Sequence, residues 1–391
     1  MNVSATVTAA EAAQQRWDVI VIGAGPAGAT AAILLAQAGR KVLLVDRKPF
    51  PRQKVCGGCL SAAAVALLEK LGVASQLISA GAQPLHSLEL RAGEAVANLA
   101  LPSGLSVTRT TLDALLVERA VACGAAFLPA TTAHVTNSSG YRVHLQTGNE
   151  AVQEVSPGVI LVADGLGHPS LRAAQRFAQR VSPASRIGAG SLLEGSLPHL
   201  ASHTVSMVIG RHGYVGLVHV EGSQTSIAAA LDPQLVRRHH GVASACQQVL
   251  QEAGIQVYDD FVRHDWHATP ALTRTTLRHA DANVFLLGDA SGYVEPFTGE
   301  GMTWAMSAAV DVLPFVERAL AGQAAAREWT GHVTRMAQRR QRWCRLVSRS
   351  LRSPWLTAAT VRLLHVAPLI AQPVVHWITE RRTPELAKVP S

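Results

Sequence analysis

No apolar run in this 391-residue chain reaches the roughly 18 residues that a spanning helix needs, so none is expected. Cysteine is scarce. Cys56, Cys59, Cys123, Cys246 and Cys344 are too few at this length for a secreted disulfide framework, which makes a reducing cytoplasm the default location. No second C-x-x-C and no histidine pair at zinc spacing accompanies Cys56-Gly57-Gly58-Cys59, so no metal centre is expected. His264-Asp265-Trp266-His267 reads as surface or core histidine rather than ligands. Residues Met1–Arg16 lack the basic start and apolar core of a signal peptide and read as a loose leader. There is no internal repeat, no zinc-finger spacing and no basic strand interleaved with aromatics, which argues against a nucleic-acid partner.

What is present is apolar. Residues of the hydrophobic class make up 48% of the chain, enough for a large core, and the length favours two or three modules over one. The net charge of +8 is concentrated at one end. From Asp311 to Ser391 there are thirteen Lys+Arg and five Asp+Glu, a balance of +8, whereas the preceding residues hold 22 of each sign.

One stretch organises the rest. Val19–Ile22 is a short β-branched apolar run, the pattern of a strand buried on both faces of a parallel sheet. Gly23, Gly25 and Gly28 follow at G-x-G-x-x-G spacing, with Pro26 and Ala27 opening an alanine-rich helix that stops at Gly39. Val42–Val45 is a second strand ended by Asp46, 18 residues after Gly28, where an acid takes a ribose hydroxyl. Strand, glycine turn, helix, strand and acid together predict a dinucleotide whose phosphates sit at the helix N-terminus.

Further on, RKPFPRQKVCGGCLS reads as a loop, and Ser61 as the cap of a helix over 62–71. Short strands are expected at 85–90, 95–101, 126–135, 141–146 and 151–155, and a helix over 112–122 preceded by Thr108-Arg109-Thr110-Thr111. The apolar run Val159–Val162 ends at Ala163-Asp164-Gly165, and Val284–Leu287 ends at Gly288-Asp289. Alternating strands fill 188–231, and 233–253 reads as one helix.

Three ordered segments, GAGPAG, the run VILVADGLGHPSLR and NVFLLGDASGYVEPFTGEGMTWA, resemble the FAD-dependent oxidoreductases related to para-hydroxybenzoate hydroxylase. Within that superfamily KVCGGCLS and EPFTGEGM are more similar to the geranylgeranyl reductase branch. The resemblance covers about residues 17–320. It implies an α/β fold, a discontinuous Rossmann-like FAD-binding domain (17–84, 105–180, 278–320) with an inserted antiparallel β-sheet substrate domain (85–104, 181–277). A basic helical C-terminal module at 321–391 lies outside it.

The resemblance also implies site residues. Gly23, Gly25, Pro26, Ala27, Gly28 and Asp46 would hold the ADP half of FAD. Arg109 resembles the family arginine that contacts FAD, and Arg47 either stacks on adenine or stays a solvated surface arginine. Asp164, Gly165, Gly288 and Asp289 fall at carboxyl ends of strands, where open α/β sheets bind ligands. Pro296, Gly299, Gly301 and Met302 begin an apolar helix whose N–H groups would face the flavin pyrimidine edge. Cys56 and Gly57 belong beside the flavin, and Cys56 is the candidate catalytic proton donor, since a thiol is mostly protonated at neutral pH. Cys59 reads as a small apolar packing residue.

Two activities fit. In the first, NAD(P)H visits transiently and reduces FAD, and the flavin reduces a C=C bond of an isoprenoid or other long apolar substrate. The alternative is an oxygen-using monooxygenase, or less readily a halogenase, acting on an aromatic or polyketide-like compound. Against the halogenase stands the lone Trp266 in HDWHATP, where that family pairs two tryptophans. Glu300 in TGEGM counts against the hydroxylases. A non-enzymatic flavoprotein is the distant third. In the tail, Arg339, Arg340, Arg342, Arg345 and Arg349 are interspersed with Met336, Trp343, Leu346 and Val347, ahead of apolar 355–377. That suits either a peripheral contact with an anionic membrane surface or a helical cap packed on the enzyme.

Overall fold

The computed structural model describes residues 3–371, apart from 138, 139, 196, 198, 259, 260, 296, 298, 351 and 352 and the side chains of 339–350. Pro296, Pro373, Trp377 and the arginine side chains from Arg339 to Arg349 therefore lie outside the described residues.

The expected strand–helix–strand unit sits at the centre of a six-stranded sheet. Its order is Ala280–Asp281, Val284–Leu286, Val159–Val162, Val19–Ile22, Val42–Val45 and Ala126–Leu128. All neighbours run parallel except the first pair, a hairpin. These strands are apolar throughout because both faces are covered. Val19, Val21, Val42, Leu44, Val159 and Leu161 join one core with the helices Pro26–Gln37, Arg109–Ala122 and Gly301–Asp311. Ile20, Ile22, Leu43, Val45, Ile160 and Val162 face the other way, onto the antiparallel sheet of Thr131–Asn137, Tyr141–Thr147 and Gln153–Val155. The period of two in a strand puts successive residues into two different cores.

A second sheet of eight strands carries the inserted domain. Its order is His267–Ala271, Ile187–Glu194, Gln224–Leu231, Gly213–Val220, Thr204–Gly210, Gln83–Ala92, Ala95–Ser106 and Cys59–Leu60. Every pair is antiparallel except Thr204–Gly210 with Gln83–Ala92. One face packs on the helices Pro233–Arg238 and Val242–Glu252. The other face, with Leu90, Leu99, Met207, Ile209 and Tyr214, turns toward the cofactor-type domain and the C-terminal helix Pro354–Val366. The α/β architecture with an inserted β-sheet domain is thus present.

Several local readings need correction. The segment before Trp17 is docked, not loose: Thr8 and Glu11 form a reciprocal capping box on the helix Ala9–Ala13. The Thr6 N–H bonds the Phe127 carbonyl at 2.9 Å, and the Trp17 indole donates to Ala12 O at 2.8 Å. The loop expected around residue 59 contains the short strand Cys59–Leu60, paired with Leu105 and Ser106. The single helix expected over 233–253 is two, broken at His239–Gly241, where His240 takes positive φ. The helix expected from residue 112 begins at Arg109, because the Thr108 hydroxyl caps it by accepting the Thr111 N–H. In the tail, Trp329 is buried, donates its indole N–H to Leu286 O at 3.2 Å and stacks on His332, anchoring the helix Ala326–Ser350 to the six-stranded sheet.

The hairpin at the end of that sheet carries a pH-sensitive residue. Burial lowers the His279 imidazole from the ordinary 6.5 to about 4. The unfolded chain therefore binds an extra proton between those values, so this contribution to stability is full above about 6.5 and is lost on acidification toward 4. We expect wild type to lose about 3 kcal/mol more than His279→Gln across that window, read from urea midpoints. Parallel curves for the two proteins would show that the imidazole is solvated.

Candidate active site: a charged cradle opening into an apolar cavity

The glycine turn is built as the motif requires. Gly23 has φ +103°, and a Cβ there would lie 2.4 Å from the Ala163 carbonyl oxygen. At Gly28 a Cβ would fall 1.8 Å from Gly23 O, so the helix can approach the turn only without a side chain. Gly25 is the N-cap of helix Pro26–Gln37, and no side chain caps that helix. A Cβ on Gly25 would stand 3.2 Å from one Arg109 nitrogen and 3.7 Å from one of Arg52. Free helix N–H groups and two guanidinium ions thus frame one space, shaped for an anion.

The cations are held by two buried carboxylates. Arg109 makes a two-pronged pair with Asp113, both contacts 2.8 Å. Burial opposes the Arg109 charge, and Asp113 more than offsets it, keeping the guanidinium protonated. Arg52 reaches Asp113 at 3.1 Å and Asp46 at 3.3 Å. Asp46 also accepts the Ala24 and Lys48 N–H groups, each at 2.9 Å, which fixes it at the end of its strand. Lys54 stands inside the same cavity, its Nζ 3.0 Å from where a Gly165 Cβ would be. Its walled-off position, with Arg109 and Arg52 nearby, pushes the ammonium down, and Asp289 opposes that.

The turns from the other strands converge here. Gly165 has positive φ, and burial pushes the neighbouring Asp164 carboxyl up although one oxygen accepts the Ser170 N–H at 2.8 Å. The other Asp164 oxygen and the Ser170 hydroxyl are buried with no protein partner. Gly288 and Asp289 lie opposite, Gly288 packed on Ala27. Gly301 starts its helix with the buried Glu300 as N-cap, and Met302 is buried behind it. Arg47 is an exposed residue at the rim.

A cavity of about 1190 Å³ joins these residues. Gly23, Gly25, Pro26, Ala27, Asp46, Arg47 and Arg109 line it, as do Cys56, Gly57, Asp164, Gly165, Gly288, Asp289, Gly299, Gly301 and Met302. Gly28 does not; it serves the helix packing. A dinucleotide cofactor fits: a cradle a side chain would fill, fixed cations beside it and unpaired buried polar atoms beyond.

Past the glycine turns the cavity becomes apolar, walled by Leu88, Leu90, Leu99, Val205, Met207 and Ile209. The C-x-x-C loop stands at the junction. The Cys56 Sγ accepts the Gly58 N–H at 3.5 Å, and Ser226 Oγ donates to the Cys56 carbonyl at 3.3 Å. Cys59 packs beside Leu85 and Val218, and burial pushes its thiol up to about 12, in keeping with a packing role. Tyr214 also lines the cavity, and burial followed by the nearby Glu295 carboxylate holds its phenol well above the usual range. Arg186, 1% exposed, pairs with Glu295 at 3.2 Å and with Asp232 at 3.1 Å.

Sequence reasoning missed Arg52, Lys54, Asp113, Tyr214 and Glu295. Asp113 was legible as an i,i+4 partner of Arg109 on a predicted helix. Arg52 and Lys54 stood in view in the basic loop. The Tyr214–Glu295–Arg186 group is assembled from three distant segments and leaves no local signal.

The family profile described as FAD binding domain matches residues 16–349. A menaquinone reductase from Mycolicibacterium smegmatis is 30% identical over 321 residues, covering 74% of each chain. A geranylgeranyl diphosphate reductase from Rhodobacter capsulatus is 33% identical over 156 residues, 38% of each chain, so that likeness is partial. Among solved structures, a flavin-dependent brominase variant superposes with TM-score 0.77 at 16% identity, covering 93% of this chain and 94% of its own. A probable FAD-dependent monooxygenase from Pseudomonas aeruginosa gives 0.70 at 18% identity, covering 88% and 99%. At these identities the solved structures establish the fold alone. Profile and relatives agree with the cradle, and the chain belongs to the FAD binding domain family of flavin-dependent oxidoreductases.

Proposed function

We propose that this protein uses NAD(P)H to reduce C=C bonds in a long apolar substrate of isoprenoid type, the class named in its menaquinone and geranylgeranyl diphosphate reductase relatives. The observation that carries this reading is the aliphatic wall that continues directly from the cofactor cradle. When bound, FAD would supply the two-electron redox chemistry that links NAD(P)H to the double bond.

This chain's residues do the rest. Gly25 would leave room for the pyrophosphate at the helix N-terminus, and Arg109 and Arg52 would neutralise it. Asp46 would accept from ribose. The N–H groups at Gly299 and Gly301 would stabilise negative charge at the pyrimidine edge. The aliphatic walls exclude water and align the chain. As hydride arrives at one carbon of the double bond the other takes a proton, which Cys56 at the junction donates before it is recharged from solvent. The net change is one hydride and one proton added to substrate and one NAD(P)H oxidised.

Anaerobic incubation of the holoenzyme with NAD(P)H and a polyprenyl quinone or polyprenyl diphosphate tests this. The expected product gains two hydrogens for each NAD(P)H consumed. Turnover only of an aromatic compound, with oxygen consumed and an oxygen atom gained, would establish the monooxygenase alternative instead.

A further inference from the structure

The C-terminal helix forms part of the cavity wall. One face of the helix Pro354–Val366, through Thr357, Val361 and Leu364, packs against the eight-stranded sheet and lines the cavity. The following turn, Pro368–Ala371, returns Ala371 to the same core. The outward face does not resemble a solvated helix. Trp355 is 74% exposed, Val366 81% and Leu369 70%, with Leu356, Leu363 and Ile370 exposed beside them. Leu363 and Ile370 are both exposed and part of the cavity lining, so apolar side chains reach from the outer surface into the cavity. A patch of this kind marks a contact surface.

Charge identifies the kind of contact. From Trp329 to Thr379 there is no aspartate or glutamate and there are eight arginines. Arg362 lies on the exposed face itself, where its stem can lie along apolar surface while its head reaches phosphate. No described helix is long and apolar enough to cross a membrane. Exposed tryptophan and aliphatic side chains on a basic, acid-free segment are the composition of a helix lying in a lipid interface. An acidic carrier protein would match the charge but leave the large aliphatic side chains without a hydrocarbon phase.

We propose that residues 354–371 form a foot that rests in the surface of an anionic bilayer, so that the cavity mouth opens into lipid and the substrate enters without crossing water. The arginines add attraction, and the foot supplies insertion.

The test uses the FAD-loaded full chain and phosphatidylcholine vesicles with and without phosphatidylglycerol. Wild type should sediment with the anionic vesicles, less so at high salt. Trp355→Glu with Val366→Glu and Leu369→Glu alters side chains that do not line the cavity, and should lower partitioning by more than about tenfold while FAD content is kept. Brominated lipid should quench tryptophan emission in wild type and less in Trp355→Phe. Equal partitioning of wild type and triple variant would overturn the proposal. So would failure of wild type to sediment, or binding to an acidic carrier protein in place of vesicles. None of these readouts depends on turnover, so loss of the reductase reading would leave the foot standing.

Discussion

Gly25→Val should give a folded protein that binds FAD about a hundredfold or more weakly than wild type. Gly25 adopts φ −82° and ψ −174°, an extended conformation that valine accepts, so the backbone does not forbid the change. The obstacle is space: the first carbon alone would lie 3.2 Å from Arg109 and 3.7 Å from Arg52, and valine adds two methyl groups there. A pyrophosphate displaced from this spot loses charge-assisted bonds of about 1.5–3 kcal/mol each, and two of them amount to at least the hundredfold stated. Flavin absorbance after purification and titration of the apoprotein with FAD measure the effect, with circular dichroism as the check on folding. Wild-type affinity in a folded variant would mean that phosphate is bound elsewhere.

The second large effect falls on Cys56. Cys56→Ala should retain FAD and NAD(P)H-driven bleaching of the flavin, yet slow electron transfer to substrate by about 10²–10⁴-fold, the usual worth of a positioned proton donor. The alanine keeps the turn at Gly57 and Gly58 and the Ser226 bond to the Cys56 carbonyl, and gives up only the long 3.5 Å contact from the Gly58 N–H to the thiol. Tyr214 is the competing donor, since its phenol lines the same cavity and stays protonated there. Stopped-flow traces for Cys56→Ala and Tyr214→Phe separate the two. A wild-type rate in the first and a large loss in the second would move the proton source across the cavity.

How much of this was legible follows from the kind of force involved. The parallel sheet announced itself because strands such as Val19–Ile22 and Val42–Val45 are buried on both faces and can only be apolar. The cradle was legible where chemistry is local: turn glycines, the helix start and Asp46 are read within one βαβ unit. The loose-leader reading failed because docking of Ala9 and Ala12 depends on tertiary contact, although Thr8 and Glu11 spelled out a capping box. Arg52, Asp113 and Asp46 form one ionic network only when the basic loop folds over the start of the helix Arg109–Ala122. The apolar cavity needed the register of the eight-stranded sheet to decide which side chains face inward. In the tail, the alternatives of membrane contact and packed cap are complementary in part: Thr357 and Val361 pack inward, and Trp355 and Val366 point out.

The proposed reduction of apolar double bonds by the flavin is decided in a single anaerobic turnover. Holoenzyme reduced with a limiting amount of NAD(P)H would be mixed, without oxygen, with a polyprenyl quinone in detergent, and flavin absorbance followed. Reoxidation at least as fast as steady-state turnover is expected, with a product saturated by one pair of hydrogens and its quinone ring unhydroxylated. A flavin that stays reduced with every polyprenyl substrate and reoxidises only when oxygen is admitted would contradict it.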